Sequence, residues 1–255
     1  MESSVQEIIF EPIANMYGMS AADSERRLKL VSAGREDVDV RCLGGGRPFA
    51  VEVADPSREL SAEELSSACA QISASGKVVV NELVPVTKQD LAELKKGEQS
   101  KCKTYEALCI KLTSDGDGDD AVPGECGARV TAADIARVNA YRNVGEAGGV
   151  EGVEGEGGAA PRVRLEQRTP LRVLHRRPLR ARTRYIYEMH AQPVPEHPQL
   201  LVLRVRTSAG AYVKEFVHGE LARTRPALSR GVLPARLDLL ALDVTRVHLD
   251  WPAGR

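Results

Sequence analysis

The stretch Gly34-Arg35-Glu36-Asp37-Val38-Asp39-Val40-Arg41, followed by Leu43-Gly44-Gly45-Gly46-Arg47-Pro48-Phe49, concentrates carboxylates and guanidinium groups between glycine turns. Carboxylates this close repel one another unless cations lie between them, so the segment belongs at a wet surface or at a site. A carboxylate flanked by guanidinium groups stays ionised, as a nucleophile requires, which makes Asp37 the first candidate for chemistry. The alternation of Val38 and Val40 with Asp39 and Arg41 predicts a strand with one apolar and one polar side, placing Asp37 and Asp39 on the same side. A solvated edge strand with surface ion pairs has the same pattern, so the motif alone leaves both readings open.

With 255 residues, 42% of them hydrophobic, the chain can bury a sizeable core as one large domain or two small ones. The formal net charge of -1 hides an asymmetry. From Arg162 to Arg184 arginine recurs every few residues and Glu166 is the only acid, a basic strip inside a near-neutral protein. Its arginines, Arg172, Arg176 and Arg177 among them, are suited to bidentate phosphate contacts along an RNA backbone. The 5 cysteines are odd in number and form no C-x-x-C pair, which argues against a disulfide framework or a zinc site. No apolar run approaches the roughly 20 residues of a membrane span, and the acidic opening lacks a basic leader, so the chain is expected to be soluble and intracellular, in nucleus or cytoplasm.

Strands and helices are interleaved. Val5, Ile8, Ile9 and Ile13 lie at helical spacing behind Ser3 or Ser4 as a cap, and Pro12 blurs that helix's end. Phe49–Val53 reads as a strand, Ser61-Ala62-Glu63-Glu64 opens a helix through Leu65, Ala68 and Ile72, and Lys77–Val86 reads as a further strand. A short helix starts at Thr87, and a strand runs from Thr104 to Leu112. Residues 113–161 shift to Gly, Asp and Glu and read as a largely disordered insertion between two halves, 1–112 and 162–255, with a helix from Thr131 to Tyr141 inside it. The acidic run from Asp115 lacks the distant glutamate and flanking helices of a calcium loop. Arg184–Met189 and Leu200–Thr207 form an antiparallel hairpin, Tyr212–His218 a helix closed by Gly219, and Leu239–Trp251 a last strand. Gly44-Gly45-Gly46 as a phosphate cradle lacks the lysine-serine pattern that should follow.

Four segments in order, G-R-E-D-V-D-V-R, K-T-Y-E-A-L, R-T-P-L-R-V-L-H-R-R-P and A-G-A-Y-V-K-E-F-V-H-G, resemble the archaeal and eukaryotic tRNA pseudouridine synthases of the Pus10 type. The resemblance implies an α+β fold: a pseudouridine-synthase core on a long mixed, mostly antiparallel sheet with flanking helices and a central RNA-binding cleft. The family's R-x-D pattern falls on Arg35-Glu36-Asp37, making Asp37 the nucleophile and Arg35 a substrate contact. Tyr105 matches a tyrosine beside the target base, and Tyr212 a second residue at the uridine. Lys214 stands where related synthases carry a cation paired with the catalytic aspartate. No cofactor and no metal are implied. The expected substrate is the T arm of tRNA, and the chain is expected to act as a monomer away from membranes.

Two departures from the family follow. Its members carry an N-terminal accessory RNA-binding region with paired cysteines that has no counterpart here, so a fragment or a shortened relative is expected. Glu220 and Ala222 stand where aspartate and glycine are expected. These departures motivate a second reading, an RNA-binding or processing partner that has lost catalysis.

Overall fold

A computed structural model describes residues 3–112, 128–144 and 160–252. In chain order it contains α1 (Val5–Met16), α2 (Ala21–Arg27), β1 (Leu28–Ser32), β2 (Val40–Cys42), β3 (Phe49–Val53), α3 (Ala62–Ala74), α4 (Lys88–Ser100), β4 (Lys103–Lys111), α5 (Ala132–Ala140) and β5 (Val163–Arg168). A 3-10 turn (Leu171–Val173), β6 (Ala181–Val194), β7 (His197–Thr207), α6 (Val213–His218), β8 (Thr224–Arg225) and β9 (Leu237–Val247) complete it. The chain divides into two compact units, one built from residues up to Glu36, Arg47–Glu98 and the end from Asp250, the other from Asp37–Gly46 and Gln99–Leu249.

In the first unit, local chemistry sets the helix starts. The Ser4 hydroxyl accepts from the Glu7 N–H while the Glu7 carboxylate accepts from the Ser4 N–H, and Ser61 and Glu64 repeat the arrangement at α3. Helix α1 runs through Pro12 and buries Ile9, Phe10 and Ile13 against Leu28 of β1 and Ile72 of α3. β1 and β3 pair antiparallel, Leu28 opposite Val53. The strand expected over Lys77–Val86 does not form. Val80 and the half-buried Val78 and Leu83 pack against this core while Val79 stays exposed, so alternate burial is met by an irregular segment without a paired neighbour, and Pro85 offers no N–H.

The second unit is organised on a seven-stranded sheet of order β2-β9-β4-β7-β6-β5-β8. Only β2 with β9 is parallel, so the sheet is mixed and mostly antiparallel, as expected. Its spine is the β6–β7 hairpin, whose alternating burial sets Ile186, Met189 and Ala191 beside Leu201, Leu203 and Val205 in the core. Helix α6 adds Val213, Phe216 and Val217 to that core and ends at Gly219, whose φ of +79° is a left-handed closure natural to glycine.

Of the expected insertion, 113–127 and 145–159 lie outside the described residues, as does the acidic run considered for calcium. The part between is integral to the second unit. Helix α5, capped by Thr131, buries Val138 in the core, and Asn139 binds the N–H and the carbonyl of Ala191. Arg162, the first arginine of the basic strip, donates to the carbonyls of Tyr141, Asn139 and Met189, so it anchors α5 rather than facing a ligand.

Asp134 of α5 meets Lys111 of β4 at 2.9 Å, each side chain only 4% exposed. Burial opposes the Asp134 charge, but the Thr131 N–H and Lys111 outweigh it and hold the carboxyl below its ordinary value of 3.8. Because the folded value is depressed, the stabilisation is complete above about pH 4 and is lost as pH falls through the lowered folded value. Asp134→Asn removes the Asp134 carboxylate from the buried Lys111 ammonium and should cost about 3 kcal/mol, read as a lower urea midpoint at pH 7 that converges on wild type in acid.

Candidate active site

All the groups that meet at the candidate site belong to the second unit. Asp37–Val40 is not a strand but a turn, closed by the Val40 N–H on the Asp37 carbonyl, with β2 beginning only at Val40. The alternation misleads because Val38 is 79% exposed at the turn's tip, where nothing covers its apolar side. Beyond it the chain is fastened to β9 by the Leu43 N–H on the Val244 carbonyl and by Gly44, where a Cβ would lie 2.4 Å from the Thr245 oxygen. That close approach explains the first glycine of Gly44-Gly45-Gly46 without a phosphate.

Facing the turn is α6. The Tyr212 N–H donates to Gln167 Oε1, and its carbonyl accepts from Gln167 Nε2, both at 2.9 Å, so a buried amide fixes the start of the helix. Lys214 Nζ contacts both oxygens of Asp39, at 2.6 and 2.7 Å, and lies 3.9 Å from Asp37 Oδ2. Arg172, from the 3-10 turn, places NH1 3.7 Å from the same Asp37 oxygen and donates from Nε at 2.8 Å to Glu215. Two cations and three carboxylates therefore share one cluster. The closest pairing is not the expected Lys214 with Asp37 but Lys214 with Asp39, because the turn brings the second aspartate to the same side with both oxygens presented to the ammonium. The Lys214 hydrogen bond lowers Asp39 below the usual carboxylate range against a smaller opposing effect of burial. For Arg172 burial opposes the charge, but Glu215 and the two aspartates raise its pKa.

The remaining candidates are distributed unevenly. Tyr212 caps α6, beside Arg184, which donates to the Gly210 carbonyl. Tyr105 lies on β4, half-buried against the main core, in the lateral row Cys42, Val244, Tyr105, Val205 across the sheet. Arg35 is exposed on the connection after Ser32 and pairs with no carboxylate among the described residues. Arg176 and Arg177 are exposed in the bend after the 3-10 turn, their N–H groups on the Val173 carbonyl. Asp39 and Glu215 are the site residues that motif reasoning left without a role. For Glu215 the available signal was a glutamate inside a six-residue helix otherwise rich in Val and Phe.

The last motif continues into an unusual turn. Glu220, Leu221 and Ala222 all have positive φ, 41°, 55° and 61°. Aspartate and glycine, the residues expected at 220 and 222, tolerate this region better than glutamate and alanine. The turn is held by Glu220, whose carboxylate accepts from the Leu171 N–H at 2.9 Å and from Arg223 Nε at 3.2 Å.

An exposed aspartate turn set against a lysine and an arginine on a mixed sheet defines a class: an α+β protein with a carboxylate-centred polar site. Residues 1–117 and 156–248 match the family model described as "Pus10, C-terminal", and the chain belongs to that family. It is 35% identical over 254 residues to the tRNA pseudouridine synthase Pus10 of Homo sapiens, covering 99% of this chain and 40% of that protein. It is 34% identical over 254 residues to the protein of that name from Methanothrix thermoacetophila, covering 98% and 44%. The chain thus spans less than half the length of these relatives. The solved "Crystal Structure of a Cbf5-Nop10-Gar1 Complex" overlaps 94% of this chain and 44% of its own, at 16% identity and a TM-score of 0.42.

Two outcomes are expected from this geometry. Asp39→Asn removes the competing carboxylate, so a crystal structure of the variant should find Lys214 Nζ within hydrogen-bonding distance of Asp37; because the Asp39 side chain is 68% exposed, stability should change by less than about 1 kcal/mol. Ala222→Gly should raise stability by about 1 kcal/mol in urea unfolding, because it relieves a left-handed alanine.

Proposed function

We propose that this chain is the catalytic part of an enzyme that converts uridine to pseudouridine in tRNA, in the T arm, with Asp37 as nucleophile. The observation that carries the reading is Asp37 itself, 42% exposed and flanked by Lys214 and Arg172 in a chain of the Pus10 family. The human and archaeal relatives, named as tRNA pseudouridine synthases, support the reaction and the substrate class.

The reaction is an isomerisation. The bond from uracil N1 to the ribose C1′ breaks, one from C5 to C1′ forms, the proton leaves C5, and N1 ends protonated, so no oxidant, reductant or group donor is consumed. An ionised carboxylate can engage the detached sugar or base transiently, and of the three carboxylates in the cluster Asp37 is the one left without a close cation, since each neighbouring cation has a nearer partner. Lys214 and Arg172 keep it oriented. Tyr212, and Tyr105 from the sheet, are assigned to the flipped base, where a ring can stack and a phenol can assist removal of the C5 proton. Arg35, Arg176 and Arg177 are assigned to RNA phosphates, while Arg172, its fork held by Glu215, meets the substrate only from beside Asp37.

Asp37→Asn should abolish pseudouridine formation in an unmodified tRNA transcript, mapped by carbodiimide and primer extension, while RNA affinity stays within about twofold. Retained turnover would sink the nucleophile assignment, and binding without product from wild type would favour the RNA-binding partner that has lost catalysis. Arg176→Ala with Arg177→Ala should weaken binding and make the slope of log affinity against log salt shallower by roughly 1 to 2, the loss of two phosphate contacts.

A further inference from the structure

Glu215 takes no part in the chemistry above, yet at 1% exposure it is more deeply buried than any other carboxylate among the described residues. A carboxylate withdrawn from water is costly unless a cation and hydrogen bonds meet it. Its partner is Arg172, through Nε at 2.8 Å and NH2 at 3.4 Å. A guanidinium group is a planar fork, so when its Nε and NH2 edge is held, the direction of NH1 is set as well. That nitrogen is the one 3.7 Å from Asp37 Oδ2.

The two partners differ in support. Glu215 stands on a helix fixed at its start by Gln167, at its end by the Gly219 N–H on the Glu215 carbonyl, and laterally by the Leu228 and Ser229 N–H groups on the carbonyls of Phe216 and Val217. Arg172 stands on a three-residue 3-10 turn that buries only Val173, with Leu171 and Leu174 on either side of it exposed. A rigid buried anchor therefore holds a cation that its own exposed segment would otherwise leave free to sample many rotamers. In the adjacent pair Lys214 stands on the same fixed helix, but its partner Asp39 lies on the turn with its side chain 68% exposed, so that pair has no buried anchor.

We propose that Glu215 is a positioning residue, holding Arg172 so that one cation faces Asp37 before RNA arrives. The proposal rests on the reading of Asp37 as nucleophile. Glu215 touches no reacting atom and acts only through Arg172, and the negative charge it brings cancels that of Arg172, so Asp37 is oriented without being neutralised by a cation of its own.

The test uses the full chain and an unmodified tRNA transcript, with wild type, Glu215→Gln, Arg172→Ala and the double variant. Single-turnover rate and RNA affinity are measured, together with the 15N–1H signal of Arg172 Nε in the protein without RNA. In wild type that signal should be resolved and protected from exchange; in Glu215→Gln it should be lost, with the rate down about 100-fold and affinity within about twofold. The double variant should be no slower than Arg172→Ala alone, the non-additivity expected of two residues acting as one. A Glu215→Gln rate within about threefold of wild type, or losses that multiply in the double variant, would overturn the proposal. Should Glu215→Gln fail to fold, Arg172→Lys on the surface side keeps the charge and removes the fork; the same fall is expected, and an unchanged rate overturns the proposal. Absence of product from wild type would remove the functional reading, while a protected Nε–H signal indifferent to Glu215→Gln would remove the tether itself.

Discussion

The interaction on which the site depends is the double hydrogen bond between the Gln167 amide and the backbone of Tyr212. It joins β5 to Tyr212, the residue that caps the start of α6, and much of what the site uses from the C-terminal half follows from where that helix begins. Lys214 and Glu215 are consecutive on it, so one helix turn sends an ammonium toward the aspartate turn and a buried carboxylate toward Arg172. A glutamine can do this because it has both a donor and an acceptor in one planar group, and in a buried setting both must be satisfied. A charged residue in its place would add a desolvation cost without matching an N–H and a carbonyl together.

The charge arithmetic of the cluster has a chemical consequence. Arg172 lies closest to Glu215, and Lys214 closest to Asp39. Asp37 therefore faces two nearly closed ion pairs at 3.7 and 3.9 Å, close enough to orient its carboxylate and too far for a full hydrogen bond. A carboxylate clamped by a short bidentate contact would be a weaker nucleophile, since its lone pairs would be engaged before any substrate came. The geometry keeps charge and access together.

What could be read from residues divides along a physical line. Features decided within four residues were legible: the caps at Ser4 and Ser61, a helix start at Thr131, and the glycine closing α6, and the regular alternation of β6 and β7 made their hairpin legible as well. Features decided by a distant partner were not. Val38 and Val40 alternate as a strand would, but no neighbouring chain pairs with the first of them, and Lys77–Val86 alternates because its apolar residues face a helical core rather than because it joins a sheet. The aspartate motif was legible as a place where charge needs a reason; that Asp39, and not Asp37, takes the lysine depends on a contact 175 positions along the chain.

The left-handed turn after α6 shows how such distant contacts hold strain. Three consecutive residues with side chains adopt φ values that cost of order 1 kcal/mol each, which a surface turn free to relax would not keep. Glu220 keeps them in place by accepting from Leu171 on the arginine-bearing segment, while Arg223 donates to the Thr169 carbonyl just before it. A shorter aspartate at 220 would sit more comfortably in its backbone region but would reach less far toward Leu171. The same segment, Thr169 to Arg172, is thus held by the region around α6 at both ends, through Glu215 at its guanidinium and through Glu220 and Arg223 at its backbone. Attachment of backbone and side chain together defines an orientation where one alone would leave a swivel, and it confines the cation nearest Asp37 to the side of the turn where Lys214 also lies.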